Sequence, residues 1–397
     1  MNKLRISVND LAWYTFHIFI FVKAFTGPLT LYFPYIRFLP IAMMILLLGY
    51  KVYTGVLKGE KIVLLIVFFM LYVVIGIVNN SLVGSVFGIY IFVPFLFALF
   101  YSTVLYERIF FDNARFNFFY FLSCAAGIFY VNQFGASWIG AEQEIGGVTK
   151  VVSRDWISDG MMRNPGFTGT SVSSATLIII SCTFLGFYLI SKRRLISLVT
   201  LFAMSGYLIY LTTTKTTMVT LGFVFVLAFC SSLITRYTVK ITFLILTLFS
   251  YYCMFNINNV STGMLTNTML IRIYQTWPNA MLLLENPVQY FIGKGFGSIG
   301  VPTYYFTPAE ANSADNMFVY LYVIFGMASL IFAFYGMMKF LYFRFESSKE
   351  SKHFFIMTLV VLTGGITSNL FEASFYSIYG GVIIGLILSY KTRFKFT

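Results

Sequence analysis

Three basic side chains of this sequence stand beside long apolar segments. Arg163 opens the stretch RNPGFTGTSVSS, Lys215 lies in TTTKTT, and Arg272 heads a segment with helical apolar spacing. A charge at membrane depth costs several kcal/mol unless a partner offsets it. A lipid-linked phosphate or pyrophosphate is such a partner, because a guanidinium binds phosphate through two hydrogen bonds and an ammonium adds a mobile charge. We therefore predict that these three cations bind a pyrophosphate.

The alternative interpretation is that these cations are interfacial anchors whose charges reach the lipid headgroups. For any one of them, this interpretation is as good as the phosphate hypothesis. The three together favour the phosphate hypothesis, because Ser, Thr and Gly residues surround them and the backbone N–H groups of such segments can bind an anion.

A proton acceptor is expected among the carboxylates on the same side of the membrane. Asp315 stands with Asn316 at the end of a long apolar segment, where partial desolvation would make its carboxylate a better general base. Glu310 is the second candidate. An N-cap role for Asp315 in the tenth span is also plausible and is compatible with catalysis. The other carboxylates of this side are mostly interpreted as solvated loop residues: Glu142, Glu144, Asp155, Asp159, Glu285 and Glu372.

Sugar contacts are predicted for Asn316, Trp277 and Tyr304. Aromatic rings stack on sugars, although anchoring at the membrane interface explains aromatic loop residues equally well. The glycines of GKGFGSIG (293–300) follow no strand and lack the dinucleotide spacing, so they predict a turn. No cluster of His, Cys or carboxylate residues has the spacing of metal ligands, so we expect neither a metal nor a cofactor.

The chain that must position these residues has the composition of a polytopic membrane protein. Of its 397 residues, 59% are apolar and 10% are charged, against about 25% charged in an average soluble domain. We predict an all-α transmembrane bundle that forms a single domain over residues 1–397. Apolar segments long enough to cross a membrane predict twelve spans, near 11–28, 36–54, 62–79, 85–106, 116–133, 168–190, 195–212, 217–235, 241–257, 316–338, 354–370 and 373–390.

The net charge of +13 follows the membrane topology and does not indicate a nucleic-acid partner. Most Lys and Arg residues fall in alternate connections, which the positive-inside rule makes cytoplasmic together with both termini. Two long loops, 134–165 and 258–315, then lie on the other side, and we expect interfacial helices in them. The apolar spacing that predicts such an amphipathic helix over 269–284 is that of Ile271, Tyr274, Trp277, Met281 and Leu284.

The order of these features resembles the O-antigen polymerase and O-antigen ligase superfamily of bacterial inner-membrane glycosyltransferases. The similar stretches are Arg163 with NPGFTGTS, the turn TTTKTT, the segment RIYQTWPNAMLLLENPVQYFIGKGFGSIG and the span ADNMFVYLYVIFGMASLIFAFY. They run from the sixth predicted span to the tenth, a little under half of the chain.

The resemblance implies transfer of a glycan from undecaprenyl pyrophosphate onto an acceptor sugar at the periplasmic face of the inner membrane. It places Lys215 where many members have an arginine, and Arg272 at the arginine that heads the helix of the periplasmic loop. Asp315 and Asn316 stand where ligases carry a histidine, which favours a polymerase that extends a lipid-linked repeat unit. A separate chain-length regulator protein is a further implied partner.

On this hypothesis the three cations hold the donor pyrophosphate, and Asp315 or Glu310 takes the proton of the acceptor hydroxyl without a metal. A ligase that transfers finished polysaccharide to the lipid A core is the nearest alternative. A flippase or other transporter of lipid-linked oligosaccharide would also span the membrane many times, but it is expected to carry charges along a central path. A non-catalytic scaffold gives no reason for cations at membrane depth.

Overall fold

The computed structural model describes residues 7–54, 60–111, 114–145, 148–158, 160–256, 268–345 and 347–390. The regular structure is almost entirely helical. Helices are the expected result of long apolar segments, because a membrane offers no water to the backbone polar groups. The two termini that are predicted to be cytoplasmic (1–6 and 391–397) and the first part of the second loop (258–267) lie outside the described residues.

The helices of the first half of the chain are α1 (Val8–Ala24), α2 (Thr26–Tyr32), α3 (Leu39–Tyr53), α4 (Glu60–Asn79), α5 (Leu82–Phe100), α6 (Ser102–Phe111), α7 (Ala114–Phe134), α8 (Ser171–Ser191) and α9 (Leu195–Leu211). Those of the second half are α10 (Lys215–Phe229), α11 (Ser232–Phe255), α12 (Thr268–Ile271), α13 (Trp277–Met281), α14 (Pro287–Ile292), α15 (Val301–Phe306), α16 (Met317–Phe325), α17 (Met327–Tyr342), α18 (Ser348–Ser368) and α19 (Ser374–Ser389). Short 3-10 turns lie at Pro34–Phe38 and Pro308–Glu310.

Length and composition assign the protein to the helical membrane proteins, as predicted. Within the described residues, five helices are long and apolar enough to cross a membrane: Pro34–Tyr53, Leu82–Phe100, Ala114–Phe134, Ser171–Ser191 and Ser232–Phe255. Shorter apolar helices occupy several of the other predicted spans. The number of twelve spans and the sidedness of the loops stay predictions.

The bundle is held together by helix packing and by aromatic side chains. The main packed pairs are α5 with α19, α11 with α18, and α8 with both α7 and α9. The ring of Phe92 stacks on that of Phe371 with 4.5 Å between centroids, and the ring of Tyr320 lies 5.9 Å from each of them. Such pairs contribute beyond the apolar area that they bury. They fix α5 and α16 to the connection between α18 and α19.

The tenth predicted span consists of two helices, α16 and α17, that meet at Gly326, where φ is 55°. The glycine-rich segment 293–300 enters the bundle beside this break and is buried throughout. Its N–H groups donate to helix carbonyls in the pairs Lys294–Val323 (2.8 Å), Gly295–Ile324 (3.1 Å) and Phe296–Tyr72 (3.1 Å). A Cβ atom at Gly326 would overlap the backbone of Phe291 and Gly293. The predicted turn is therefore confirmed, but it lies inside the bundle, where helix carbonyls accept from several of its N–H groups.

The first long loop contains strands, and the expectation of interfacial helices there is wrong for the part that the structure describes. Two antiparallel hairpins form, β1 (Glu142–Ile145) with β2 (Val148–Val151) and β3 (Ile157–Ser158) with β4 (Met161–Met162). The amide of Gln143 fixes the first hairpin to the bundle, because its Nε2 donates to the carbonyl of Thr30 at 2.6 Å and its Oε1 accepts from Arg37 at 3.1 Å.

The second long loop contains the predicted helix, although it is irregular and partly buried. The helix runs through α12, a π-helical turn at Arg272–Thr276, and α13, and it ends three residues before Leu284. Trp277 and Met281 are fully buried, and α13 packs against α11 and α16. Protein therefore covers the second half of the apolar face that was predicted to lie on a bilayer, whereas Tyr274 in the first half stays exposed.

Candidate functional site

One cavity is lined by all three cations that were predicted to bind a pyrophosphate. Arg163, Lys215 and Arg272 reach it from a loop, from the start of α10 and from the π-helical turn, and its empty space is about 580 Å³. Most of the remaining lining carries hydroxyl groups, around the amino end of α10 and from α18 and α19, and no carboxylate of the described residues belongs to it. Positive charges and hydroxyl donors are the groups that bind phosphate.

Arg163 is placed by the second hairpin and by the turn that follows it. Its N–H donates to the carbonyl of Trp156 at 2.7 Å, and its guanidinium lies over the ring of Trp156, 5.3 Å from the centroid. The next residue, Asn164, donates its N–H to the carbonyl of Leu211 and its Nδ2 to the carbonyl of Ile128. Arg163 is thereby held beside the end of α9, which leads into the turn that carries Lys215.

Arg163 lies in an electrostatically unfavourable environment. Burial lowers the pKa of Arg163, the nearby charge of Arg272 lowers it further, and Asp315 raises it. An arginine stays protonated in spite of such shifts. Two guanidinium groups therefore repel each other at this cavity, and the buried Nε of Arg163 has no hydrogen-bond partner among the described residues. A bound anion would relieve both costs.

The amino end of α10 adds backbone donors to the same cavity. Thr213 has a φ of 55°, which turns the chain sharply before the helix. The N-cap residue is Thr214, and no side chain of the described residues caps this end. The first N–H groups of a helix are unsatisfied within the helix and favour an anion. The predicted turn TTTKTT thus presents Lys215 and uncapped N–H groups together.

Arg272 is paired with Asp315, the predicted base. The Nε of Arg272 lies 3.4 Å from Oδ2 of Asp315, and about a third of the Asp315 side chain is exposed. Asn312 shapes this turn, because its Oδ1 accepts from the N–H of Ala314 and its Nδ2 donates to the carbonyl of Thr276 in the π-helical turn. Asp315 then adopts a φ of 42°, in a left-handed region that Asp tolerates better than most residues.

The predicted alternative that Asp315 caps the following helix is wrong. The N-cap of α16 is Asn316, whose Oδ1 accepts from the N–H groups of Phe318 at 2.9 Å and Val319 at 3.4 Å. Its Nδ2 donates to the hydroxyl of Ser250 at 3.0 Å, and the residue is fully buried. Both ends of the amide are used within the bundle, so Asn316 offers no atom for the sugar contact that we predicted.

The second predicted sugar contact is also excluded by burial. Trp277 is 0% exposed, and its ring meets Phe249 edge-on at 6.5 Å. Tyr304, the third candidate, lies on α15 with half of its surface exposed. Burial and the nearby charge of Asp315 raise its pKa. Of the three candidates, Tyr304 is therefore the one with an accessible ring, and it lies near the predicted base.

Glu310, the reserve base, belongs to a different group of charges. Its Oε2 lies 3.1 Å from Nζ of Lys294, and Oε1 of Glu285 lies 3.1 Å from the same nitrogen. Lys294 is 2% exposed and does not line the cavity. The structure thus gives Glu310 a partner that holds the glycine-rich segment in place, away from Arg163 and Lys215.

Glu372 is the carboxylate that sequence reasoning missed. It lies in the short connection between α18 and α19, and its Oε1 accepts from the N–H of Val301, the first residue of α15, at 2.6 Å. Burial raises the pKa of Glu372 to about 8, and the nearby charge of Asp315 adds to the shift. At Gly300 a Cβ atom would overlap this carboxylate. The signal in the sequence was a lone carboxylate between two apolar spans.

Comparisons with protein-family models, with curated proteins and with solved structures found no match to this chain. The class that fold and site define is therefore a helical membrane protein with a basic, hydroxyl-lined cavity at the end of its helices.

Proposed function

We infer that this protein is a glycosyltransferase that moves a growing glycan from undecaprenyl pyrophosphate onto a lipid-linked repeat unit, as an O-antigen polymerase does. The observation that supports this function is the cavity shared by Arg163, Lys215 and Arg272, which come from three separate parts of the chain. The pyrophosphate of a membrane lipid is an anion that can offset the cost of placing these cations at membrane depth. The proposed setting is the periplasmic face of the bacterial inner membrane.

The donor binds through its pyrophosphate. The guanidinium groups of Arg163 and Arg272 and the ammonium of Lys215 contact the phosphate oxygens, and the amino end of α10 adds N–H donors. These groups are fixed by the fold before the substrate arrives. They stabilise the negative charge that develops on the leaving pyrophosphate, which is the main way in which enzymes accelerate such a transfer.

The acceptor is a hydroxyl of the incoming repeat unit. Its oxygen forms the new bond to the anomeric carbon of the donor, and the bond between that carbon and the pyrophosphate oxygen breaks with its electron pair on the pyrophosphate. The hydroxyl proton passes to the carboxylate of Asp315, which Arg272 orients from 3.4 Å. The product is a glycan longer by one repeat unit, and undecaprenyl pyrophosphate is released.

Glu372 acts as a positioning residue in this scheme. Its contact with the N–H of Val301 fixes the start of α15, the helix that presents Tyr304 beside Asp315. The exposed ring of Tyr304 offers a stacking surface for an acceptor sugar.

The test is extension of a purified lipid-linked repeat unit by the detergent-solubilised protein, with products resolved by gel electrophoresis. We expect Arg163→Gln and Arg272→Gln each to lower the rate by about 100-fold, as removal of a transition-state donor does. Lys192→Gln removes an exposed cation at the end of α8 and is the matched control. Full extension by both arginine variants would refute the proposed binding of the pyrophosphate by these residues.

The alternative functions give different products in cells that lack the protein. Loss of a polymerase leaves single repeat units attached to core, loss of a ligase leaves core bare while lipid-linked polysaccharide accumulates, and loss of a flippase leaves repeat units on the cytoplasmic face. Because side-chain cations supply the positive charge, we expect the purified protein to extend glycan equally well with and without EDTA.

A further inference from the structure

A second group of cations lies at the first hairpin, outside the cavity. It consists of Lys23 near the end of α1, Arg37 in the 3-10 turn before α3, Lys150 on β2 and Arg154 shortly after β2. Each of the other three lies close enough to Lys150 for its charge to act on that ammonium. We call these four residues the hairpin cluster.

The register of the hairpin determines which face carries its charges. Lys150 is paired with Gln143 across the two strands, and directly paired residues point to the same face of a hairpin. The Gln143 amide contacts Thr30 and Arg37 of the bundle. Lys150 therefore faces the bundle. Glu142 and Glu144 alternate with Gln143, so their exposed side chains point to the opposite face.

Within the described part of the chain, no carboxylate contacts the cations of the hairpin cluster. Among the described residues none of the four takes part in an ion pair, although Arg37 is only 8% exposed. The groups around them are the phenols of Tyr90 and Tyr305 beside Arg37 and the carboxyl of Glu372 beside Arg154. A partly buried concentration of like charge is costly unless a ligand of opposite charge binds.

Arg154 connects the hairpin cluster to the proposed reaction centre. Its charge acts on Lys150 on one side and on Glu372 and Tyr304 on the other. Glu372 and Tyr304 in turn adjoin Asp315, which is paired with Arg272 of the cavity. The carboxylates thus lie between two separate groups of cations.

We propose that Lys23, Arg37, Lys150 and Arg154 form a second anion-binding site, which holds an anionic group of the acceptor substrate while the cavity holds the donor. The assignment to the acceptor rests on the proposed function, whereas the anion site does not. The anion is either the pyrophosphate of a second lipid carrier or the carboxylate of an acidic sugar in the repeat unit, because both accept charge-assisted hydrogen bonds from Lys and Arg.

Lys150 makes this site sensitive to pH. Burial lowers the pKa of Lys150 to about 7, and the charges of Lys23, Arg37 and Arg154 act in the same direction. Lys150 is therefore charged at pH 6 and mostly neutral at pH 8.5. Binding of an anion should weaken over this interval as one of the four positive charges is lost.

The experiment measures ligand binding by calorimetry to the full-length purified protein carrying Arg163→Gln and Arg272→Gln, which silence the cavity. The probes are geranyl pyrophosphate, inorganic pyrophosphate and glucuronate. We expect Kd for the preferred probe to rise about tenfold from pH 6 to pH 8.5, the effect of one charge-assisted contact. Lys150→Arg should have the low Kd at both pH values, because arginine stays charged. Lys150→Gln should have the high Kd at both pH values, because the charge is absent. Lys192→Gln is the control.

The outcomes separate the claims. Preference for geranyl pyrophosphate over glucuronate assigns the site to a lipid carrier, and the reverse preference assigns it to an acidic sugar. The proposed anion site is wrong if no probe binds, or if Lys150→Arg shows the same pH profile as the parent protein. Because Lys150→Arg keeps the positive charge, this variant also controls for misfolding as the cause of a changed Kd. If binding behaves as expected but the extension assay of the parent protein fails, the anion site stands and the acceptor assignment is overturned.

Discussion

Two groups of cations in this protein have opposite surroundings. Lys294 is almost completely buried, and two carboxylates, Glu285 and Glu310, lie 3.1 Å from its nitrogen. Arg163, Lys215 and Arg272 instead share a cavity whose lining includes no carboxylate among the described residues, and Asp315 lies 3.4 Å from Arg272. The first group is neutralised within the protein and holds the glycine-rich segment. On the proposed function, the second group binds an anionic ligand.

The largest effect is expected at Asp315, which lies beside the cavity. Asp315→Asn removes the proposed base, and we expect the extension rate to fall by about 100-fold or more, as loss of a general base does. The cap of α16 stays intact because Asn316 supplies it. The rate is measured in the purified extension assay, with thermal unfolding as the check on folding. An unimpaired rate would remove Asp315 from the mechanism.

Substitution of Lys294, the cation of the neutralised group, should lower the stability of the protein without lowering its reaction rate. Lys294→Met leaves Glu285 and Glu310 without their partner, but both are well exposed, so we expect a loss of about 1–2 kcal/mol. Thermal unfolding in detergent measures this loss. The extension rate per folded molecule should stay within about threefold, since no transition-state contact is removed. A 100-fold loss of rate at unchanged stability would erase the distinction between the two groups.

Glu372 provides a test that depends on pH. Its pKa is raised from 4.5 to about 8, so the folded protein holds a proton that the unfolded chain releases above pH 4.5. The contribution of Glu372 to stability is therefore complete below pH 4.5 and is lost as the pH rises towards 8. We expect Glu372→Gln to gain stability over the parent protein by a few kcal/mol at most between pH 5 and pH 8.5, as measured by thermal unfolding. Equal differences at both pH values would contradict the raised pKa.

The smallest effect is expected at the reserve base. Glu310→Gln weakens the contact of Glu310 with Lys294, and Glu310 is not among the residues that line the cavity. Exposed ion pairs contribute about 1 kcal/mol or less, so both the unfolding temperature and the extension rate should stay close to those of the parent protein. A loss of rate as large as that of Asp315→Asn would indicate that Glu310, and not Asp315, is the base.

Sequence patterns predicted the class of fold and singled out the three cations, because both are marked by local features. Apolar runs specify membrane helices, and Arg163, Lys215 and Arg272 each stand at the end of such a run or in the loop between two of them. The role of Trp277 could not be predicted in the same way. Its spacing defines an apolar face, but whether lipid or protein covers that face depends on how α11 and α16 are arranged.

Glu372 shows a second limit of sequence reasoning. The connection between α18 and α19 is short and contains one carboxylate, which is the pattern of a solvated turn. Its environment is set by Val301, a residue 71 positions earlier in the chain, which reaches it because the glycine-rich segment enters the bundle and returns. The hairpin cluster was hidden for the same reason, since the face on which Lys150 points is decided by the strand register.

The most direct measurement is an electron cryo-microscopy map of the full-length protein in lipid nanodiscs, saturated with a short-chain polyprenyl pyrophosphate. The account predicts pyrophosphate density in the cavity, within hydrogen-bond distance of Arg163, Lys215 and Arg272, and its loss in Arg272→Gln but not in Lys294→Met. A cavity without ligand density at saturation, or density that remains in Arg272→Gln, would contradict it.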